Sequence, residues 1–341
     1  MSQADAAYRA VQAVSPGKLE LTLKPFVDPR PGYVRIRVEA CGVCHSDAGT
    51  VEGIFPIAWP RVPGHEAVGR IDMLGAGVEG WIAGQRVGVG FLGGSCGRCQ
   101  QCRGGDLVNC RNQEFTGIHH DGGYAEVLIA KASGLMSIPD DLSAVEAAPL
   151  LCAGLATFRA LRNSPAKAGD LIGVLGIGGL GHLGVQYARH MGFEVAAIAR
   201  GPDKAELARK LGAHHYIDSS SVDPGQALQE LGGAALVIST ASGGKAVVQI
   251  VKGLRPRGKI MTLGATPDPI QVSTSDLLFA SRSIEGALTG DPATGDATLK
   301  FSLLTGVAAM IETMPLEKAA EAYAKMMAGK ARLRMVLTMQ S

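Results

Sequence analysis

The chain has almost no excess of charge: 33 lysines and arginines stand against 31 acidic residues. That balance offers a polyanion nothing to grip, so nucleic acid is not an expected partner. Nor is there an uninterrupted apolar stretch of the roughly 18 residues that a membrane helix needs. The nearest approach, LIGVLGIGGLGHLGV from Leu171 to Val185, is broken by glycines and by His182, so no membrane partner is expected. The N-terminal segment MSQADAAYRAVQAVSPGKLE lacks a basic start running into a sustained apolar core. Without a signal- or transit-peptide pattern, cytoplasm is the expected compartment. Internal repeats, low-complexity tracts and long linkers are also missing.

What is present is 341 residues, a length that points to two domains. Glycine, at 46 residues, is nearly double its usual share of about 7%. It is scattered through apolar segments, as expected for tight turns and close backbone approach. Seven cysteines, at 41, 44, 96, 99, 102, 110 and 152, are clustered. In a reducing compartment such clustering points to metal before disulfide.

From Lys18 to about Pro139 the sequence reads as short strands between glycine and proline turns, for example Tyr33 to Val38 with period-two alternation and Arg86 to Val89. From Asp170 the pattern changes to alternating strand and helix: Leu171 to Leu175, a helix from Gly179, Val195 to Ala199, a helix from Asp203, then Leu236 to Ser239. Lys259 to Leu263 and Ser283 to Leu288 complete six strands. The class is α/β: a mostly-β domain over residues 1–152, then a doubly wound parallel sheet over 153–289. Residues 290–341, with a helix over Leu316 to Met327 and a strand over Leu333 to Thr338, are expected to rejoin the first domain, with substrate in a cleft between the two.

Gly176-Ile177-Gly178-Gly179-Leu180-Gly181 fits GxGxxG, a pattern that means little by itself in so glycine-rich a chain. Its setting makes it specific. It follows an apolar strand and opens a helix whose Leu180, Leu183, Tyr187 and Met191 share a face, the arrangement that lets backbone amides and a helix N-terminus receive a pyrophosphate. An NAD site usually carries an acid at the end of the second strand. Here that position is Ala199, followed by Arg200, which can pair with a 2′-phosphate, and Lys204 can add to it. NADP(H) is favoured, with NAD(H) as the looser option.

Cys96-x-x-Cys99-x-x-Cys102 with Cys110 is a four-thiolate set in one short loop. Four thiolates close a tetrahedral zinc shell and leave no position for chemistry; an iron–sulfur cluster is the alternative. A second group is dispersed: Cys41-Gly-Val-Cys44-His45-Ser46-Asp47, Gly64-His65-Glu66, and Cys152. One thiolate from each cysteine segment plus His65 makes the open two-sulfur, one-nitrogen set of a catalytic zinc, of which alcohol dehydrogenase is a known example. Spacing does not decide between Cys41 and Cys44.

These segments, in this order and over nearly the whole length, resemble the zinc-dependent alcohol dehydrogenases of the medium-chain dehydrogenase/reductase family: CGVCHSD, GHE, the four-cysteine loop, GIGGLGHLGVQYA and SIEGAL. The resemblance implies a GroES-like catalytic domain and a Rossmann domain, and two zinc ions per subunit, one catalytic and one structural. It implies Cys44, His65 and Cys152 as catalytic ligands, with Glu66 close behind the metal and Cys41 left as a packed thiol. By the same likeness Asp47 orients the histidine ligand, Ser46 hydrogen-bonds the substrate oxygen and relays its proton, and His45 touches the cofactor pyrophosphate. One departure stands out: the family often has a relay histidine where this chain has Gly49. Phe55, Trp59, Phe91 and Leu92 match segments near the substrate pocket, which favours primary aliphatic or benzylic alcohols and their aldehydes. A polyol or secondary-alcohol dehydrogenase is the alternative on the same scaffold, and a non-catalytic NADPH-binding protein is the alternative from another class. In related enzymes the edge strand matching Ser283 to Leu288 pairs across a dimer, and compact bacterial-type members form tetramers, so a homo-oligomer is implied.

Overall fold

The computed structural model describes residues 7–241 and 243–339. They fall into two compact units, one ending at Leu155 and resuming at Thr289, the other formed by Ala156–Leu288. The first unit therefore runs a few residues past the expected join at 152. The helix Ala153–Arg162 passes through the join, and its Leu155 stays with the first unit, buried where a Cβ on Gly290 would meet it at 2.6 Å.

In the first unit Ala7–Ser15 (β1) and Lys18–Pro25 (β2) form an antiparallel hairpin, one strand of which lies before the point where strands were expected to begin. Tyr33–Val43 (β3), Ala67–Leu74 (β4), Arg86–Val89 (β5), Val127–Lys131 (β6) and Leu135–Ser137 (β7) follow. Along β3, Val34, Ile36, Val38 and Ala40 are buried while Arg35, Arg37 and Glu39 are not, the alternation of a sheet with one covered face. At Cys41 the alternation stops, and Cys41, Gly42, Val43 and Cys44 are all buried.

The second unit carries Leu171–Leu175 (β8), Glu194–Ala199 (β9), His215–Asp218 (β10), Ala234–Ser239 (β11), Leu254–Thr262 (β12) and Ser283–Gly286 (β13). All pairs are parallel, in the order β10-β9-β8-β11-β12-β13. β8 and β11 are buried at every position, as central parallel strands covered on both faces must be. The strand order reverses between β8 and β11, and ligands of such sheets bind at the carboxyl ends beside that switch. The helix expected from Gly179 begins at Gly181, and the one expected from Asp203 begins at Ala205, because the glycine loop and the turn after Gly201 use those residues first. β13 stops at Gly286 rather than Leu288.

The chain then returns to the first unit with Ile311–Pro315 (β14) and Arg334–Thr338 (β15), giving the sheet order β14-β15-β3-β4-β5-β7, with β6 also on β3. Leu316–Lys318 is a 3₁₀ turn leading into the helix Ala319–Met327. Leu333, expected within the last strand, has φ 73° and lies outside it. Among the described residues no single helix is long and apolar enough to cross a membrane.

Candidate active site

Cys44 stands where β3 ends and the 3₁₀ turn His45–Asp47 begins, with Cys44 as N-cap. Asp47 closes that turn: its Oδ2 accepts the Cys44 N–H at 2.9 Å and the Tyr124 hydroxyl at 2.9 Å. Its Oδ1 lies 2.9 Å from His65 Nδ1, so one buried carboxylate ties the turn, a tyrosine and a histidine together. With Nδ1 engaged, His65 directs Nε2 the other way, and Nε2 is buried with no hydrogen-bond partner. The cluster fills that direction: ligand atoms of Cys44, His65, Glu66 and Cys152 all lie within 4.8 Å of one another, with the two sulfurs 3.9 Å apart.

An orphaned imidazole nitrogen beside two thiols is a donor set for a soft-to-borderline cation, and it fits zinc. The electrostatics agree. The hydrogen bond from the Cys152 thiol, against the cost of burial, holds Cys44 well below the ordinary thiol range, with His65 and Arg334 adding to it. Burial alone lowers the basicity of His65, but Asp47 and Cys44 outweigh it and raise it above the ordinary value, so Nε2 faces a place built for positive charge. Cys41 is buried outside this cluster, its Sγ 3.5 Å from the Gly42 carbonyl.

Sequence reasoning missed two members of this neighbourhood. Tyr124 is one. The other is Arg334, the first residue of β15, which forms a buried ion pair with both oxygens of Glu66. Burial lifts the Glu66 carboxyl to about 7 even against that guanidinium, so the pair is costly to separate. Neither carried a local signal: Arg334 opens its strand two residues after Arg332, and Tyr124 follows a glycine pair.

Ser46 and His45 are exposed on the turn next to Cys44. Gly49 is buried, and a Cβ there would lie 2.3 Å from the Phe55 ring. Phe55 occupies the space a relay histidine would need, which accounts for the glycine. Phe91 meets His65 edge to face at 4.9 Å, Leu92 is buried, and Trp59 donates to the Thr50 carbonyl at 3.4 Å.

The four remaining sulfurs form the second cluster, Cys96, Cys99, Cys102 and Cys110, also with all ligand atoms within 4.8 Å. Hydrogen bonds from Asn112 and the backbone amides of Arg98 and Cys99 pull Cys96 down to about 5, while burial and neighbouring sulfurs push Cys102 up to about 11. Four sulfurs converging on one point leave no position to spare and fit a closed metal shell.

In the second unit Gly176 has φ 91°, a left-handed conformation that suits glycine, and a Cβ on Gly181 would sit 1.7 Å from the Gly176 carbonyl. At Gly178 a Cβ would meet nothing within 4 Å: the second glycine of the loop faces open space where a pyrophosphate can approach. Ile177, Gly179 and Leu180 complete the loop; Lys204 donates to the Ile177 carbonyl at 2.9 Å. Arg200 is exposed at the end of β9 and makes no ion pair with the described residues. The carboxylate at the end of β10, Asp218, is spent on the Gly201 N–H at 2.7 Å and on Ser220. A cavity of about 230 Å³ lies beyond the ends of β11 and β12, lined by Ser239, Ala241, Thr262 and Gly264.

A doubly wound sheet with an open glycine loop, together with an open sulfur–imidazole cluster, defines a class of nicotinamide-dependent, metal-assisted dehydrogenases. Comparison with known proteins narrows the class. Residues 30–140 match the alcohol dehydrogenase GroES-like domain and residues 179–303 the zinc-binding dehydrogenase domain. The chain is 41% identical to the alcohol dehydrogenase notN of Aspergillus sp. strain MF297-2, over 92% of this chain and 93% of that protein. It is 33% identical to the aldehyde reductase AdhA of Synechocystis sp., over 97% and 98%. The solved structure of CAD from Helicobacter pylori complexed with NADP(H) superposes with a TM-score of 0.84 at 28% identity, covering 98% of both chains. The chain belongs to the zinc-dependent alcohol dehydrogenases of the medium-chain dehydrogenase/reductase family. It is an oxidoreductase with alcohol dehydrogenase and aldehyde reductase activity on small molecules, using zinc and a nicotinamide dinucleotide.

Proposed function

We propose that this enzyme interconverts primary aliphatic or benzylic alcohols and their aldehydes, with NADP(H) favoured over NAD(H), at a zinc held by Cys44, His65 and Cys152. The observation that carries the reading is the buried, partnerless Nε2 of His65 beside two sulfurs, with Nδ1 anchored by Asp47. When bound, zinc supplies Lewis acidity toward a substrate oxygen, easing loss of an alcohol proton or polarising an aldehyde carbonyl.

The protein's own residues do the rest. Asp47 fixes the His65 tautomer and ring direction, a role whose loss costs metal affinity or activity. Glu66, held by Arg334, stays close behind the cluster. Ser46 offers an exposed hydroxyl on the turn beside Cys44, and by family likeness it takes the substrate proton and passes it on. Because Phe55 fills the space over Gly49, the proton leaves by water or by exposed His45 rather than by a side chain at 49. Family likeness assigns His45 to the cofactor pyrophosphate, and the open Gly176–Gly181 loop offers its backbone amides to such a group. Arg200, free of any ion pair among the described residues, takes the 2′-phosphate, with Lys204 anchoring the loop.

The Cys96, Cys99, Cys102 and Cys110 set holds a second, structural zinc, giving two per chain. We further infer a cytoplasmic homo-oligomer, dimer or tetramer. Leu278 and Phe279, 72% and 86% exposed at the end of the helix before edge strand β13, form an apolar patch that a second copy would cover.

The test is steady-state kinetics of the zinc-loaded enzyme on a panel of primary, secondary and polyol substrates, with NADPH and NADH in turn. Higher kcat/KM for primary aldehydes with NADPH, lost in Cys44→Ser, supports the reading. Preference for NADH overturns the cofactor assignment, preference for polyols overturns the substrate class, and silence throughout returns weight to a protein that only binds NADPH.

A further inference from the structure

The aromatic wall beside His65 continues past Phe91. Phe115 stacks on Phe91 with centroids 4.8 Å apart and planes at 22°, and His119 stacks on Phe115 at 5.3 Å and 29°. Backbone holds these rings in place: Thr116 N–H donates to the Phe91 carbonyl at 3.0 Å, and Leu92 bridges Phe115. The turn that follows brings His119 back over Phe115, with its N–H donating to the Phe115 carbonyl at 2.9 Å.

A second bond in that turn decides the chemistry of the outermost ring. Phe115 N–H donates to His119 Nδ1 at 2.8 Å. A nitrogen that accepts carries no proton, so the neutral ring holds its proton on Nε2. Nε2 makes no hydrogen bond with the described residues, and His119 is exposed, whereas Phe91 and Phe115 are half-buried. The neighbouring His120 is differently placed: its Nδ1 lies 3.1 Å from the Asp121 carbonyl, and its Nε2 is tucked where a Cβ on Gly93 would meet it at 2.6 Å. One histidine of the pair is packing, and the other offers a fixed donor at the end of a ring stack.

We propose that His119 is a specificity-determining residue, donating from Nε2 to an oxygen on an aromatic substrate remote from its reacting carbon. The substrates it selects are benzylic alcohols and benzaldehydes bearing a ring hydroxyl or ether oxygen, with the ring against the edges of the Phe91 and Phe115 stack. This deepens the reading of the Cys44, His65 and Cys152 cluster as the place of reaction and rests on it. Aromatic rings also meet edge to face, and a site that hydrogen-bonds a substrate oxygen discriminates against the analogue lacking it.

Kinetics with 4-methoxybenzaldehyde, benzaldehyde and butanal separate the parts. His119→Phe keeps the stack and removes the donor. It is expected to lower kcat/KM for 4-methoxybenzaldehyde about five- to tenfold, the size of one neutral hydrogen bond, through KM with kcat unchanged. Benzaldehyde and butanal should not change, and His119→Gln, which restores an N–H, should recover part of the loss. Phe115→Leu should impair both aromatic aldehydes and spare butanal. Equal effects of His119→Phe on the two aromatic aldehydes, or no effect on either, overturn the proposal, as does wild-type turnover of butanal alone. Silence with all three from zinc-loaded enzyme overturns the reading of the cluster itself.

Discussion

Cys96, Cys99, Cys102 and Cys110 converge within one loop, where local backbone amides and an asparagine tend the sulfurs. Cys44 and Cys152 are 108 residues apart in sequence, and the groups around them come from further segments still: His65 and Glu66 before β4, Tyr124 before β6, Arg334 on β15. The first cluster needs only its own loop to close. The second needs the whole sheet of the first unit to form, and it surrounds its sulfurs with an anion on one side, a buried ion pair on another and an imidazole with one nitrogen free. A closed set of like ligands stabilises chain; an open, mixed set held from a distance leaves a position where a substrate can enter.

Removing the imidazole is the harshest way to break this contrast. His65→Ala should lower kcat/KM by several kcal/mol of transition-state stabilisation, on the order of 10³-fold or more, with the fold retained by circular dichroism. The Glu66–Arg334 pair is expected to matter for stability first: Arg334→Met leaves a buried carboxylate alone and should cost about 3–5 kcal/mol in denaturant unfolding. An Arg334→Met, Glu66→Gln double variant that recovered none of that loss would show the pair is not what the single change disrupts. Asp47→Asn keeps shape but weakens the hold on His65 Nδ1, and a loss of about 10–100-fold in zinc affinity or activity is expected by metal titration alongside kinetics. The smallest effect lies in the second unit. Arg200→Ala should raise the Kd for NADPH roughly tenfold, one charge-assisted contact, and leave NADH unaltered by fluorescence titration.

The contrast between clusters also marks what the sequence made legible. The four-cysteine loop is short and its spacing is visible, and the glycine loop stands out because an apolar strand precedes it and a helix follows. Alternation along Tyr33 to Val38 gave the sheet face directly. Contacts between distant segments left no such trace: Arg334 and Glu66 are 268 residues apart, Tyr124 and Asp47 are 77 apart, and each of these residues has an ordinary local context. The Phe115 and His119 stack depends on a turn that brings the histidine back, which no periodicity encodes. The choice between Cys41 and Cys44 was open on spacing alone; in the structure it turns on where β3 ends, since the residue that caps the next turn faces the imidazole and the one three places earlier is packed in the core.

The division of labour between an open and a closed cluster is tested most directly by counting zinc in Cys44→Ser and Cys99→Ser beside the parent, with thermal unfolding and kcat measured on the same samples. The parent should hold two zinc ions per chain. Cys44→Ser should keep one, unfold near the parent temperature and lose its activity; Cys99→Ser should also keep one, unfold earlier, and turn over normally while folded. Parent-like kcat in Cys44→Ser, or abolished chemistry in a folded Cys99→Ser that retains its zinc at the other site, would contradict the assignment of reaction to one cluster and of stability to the other.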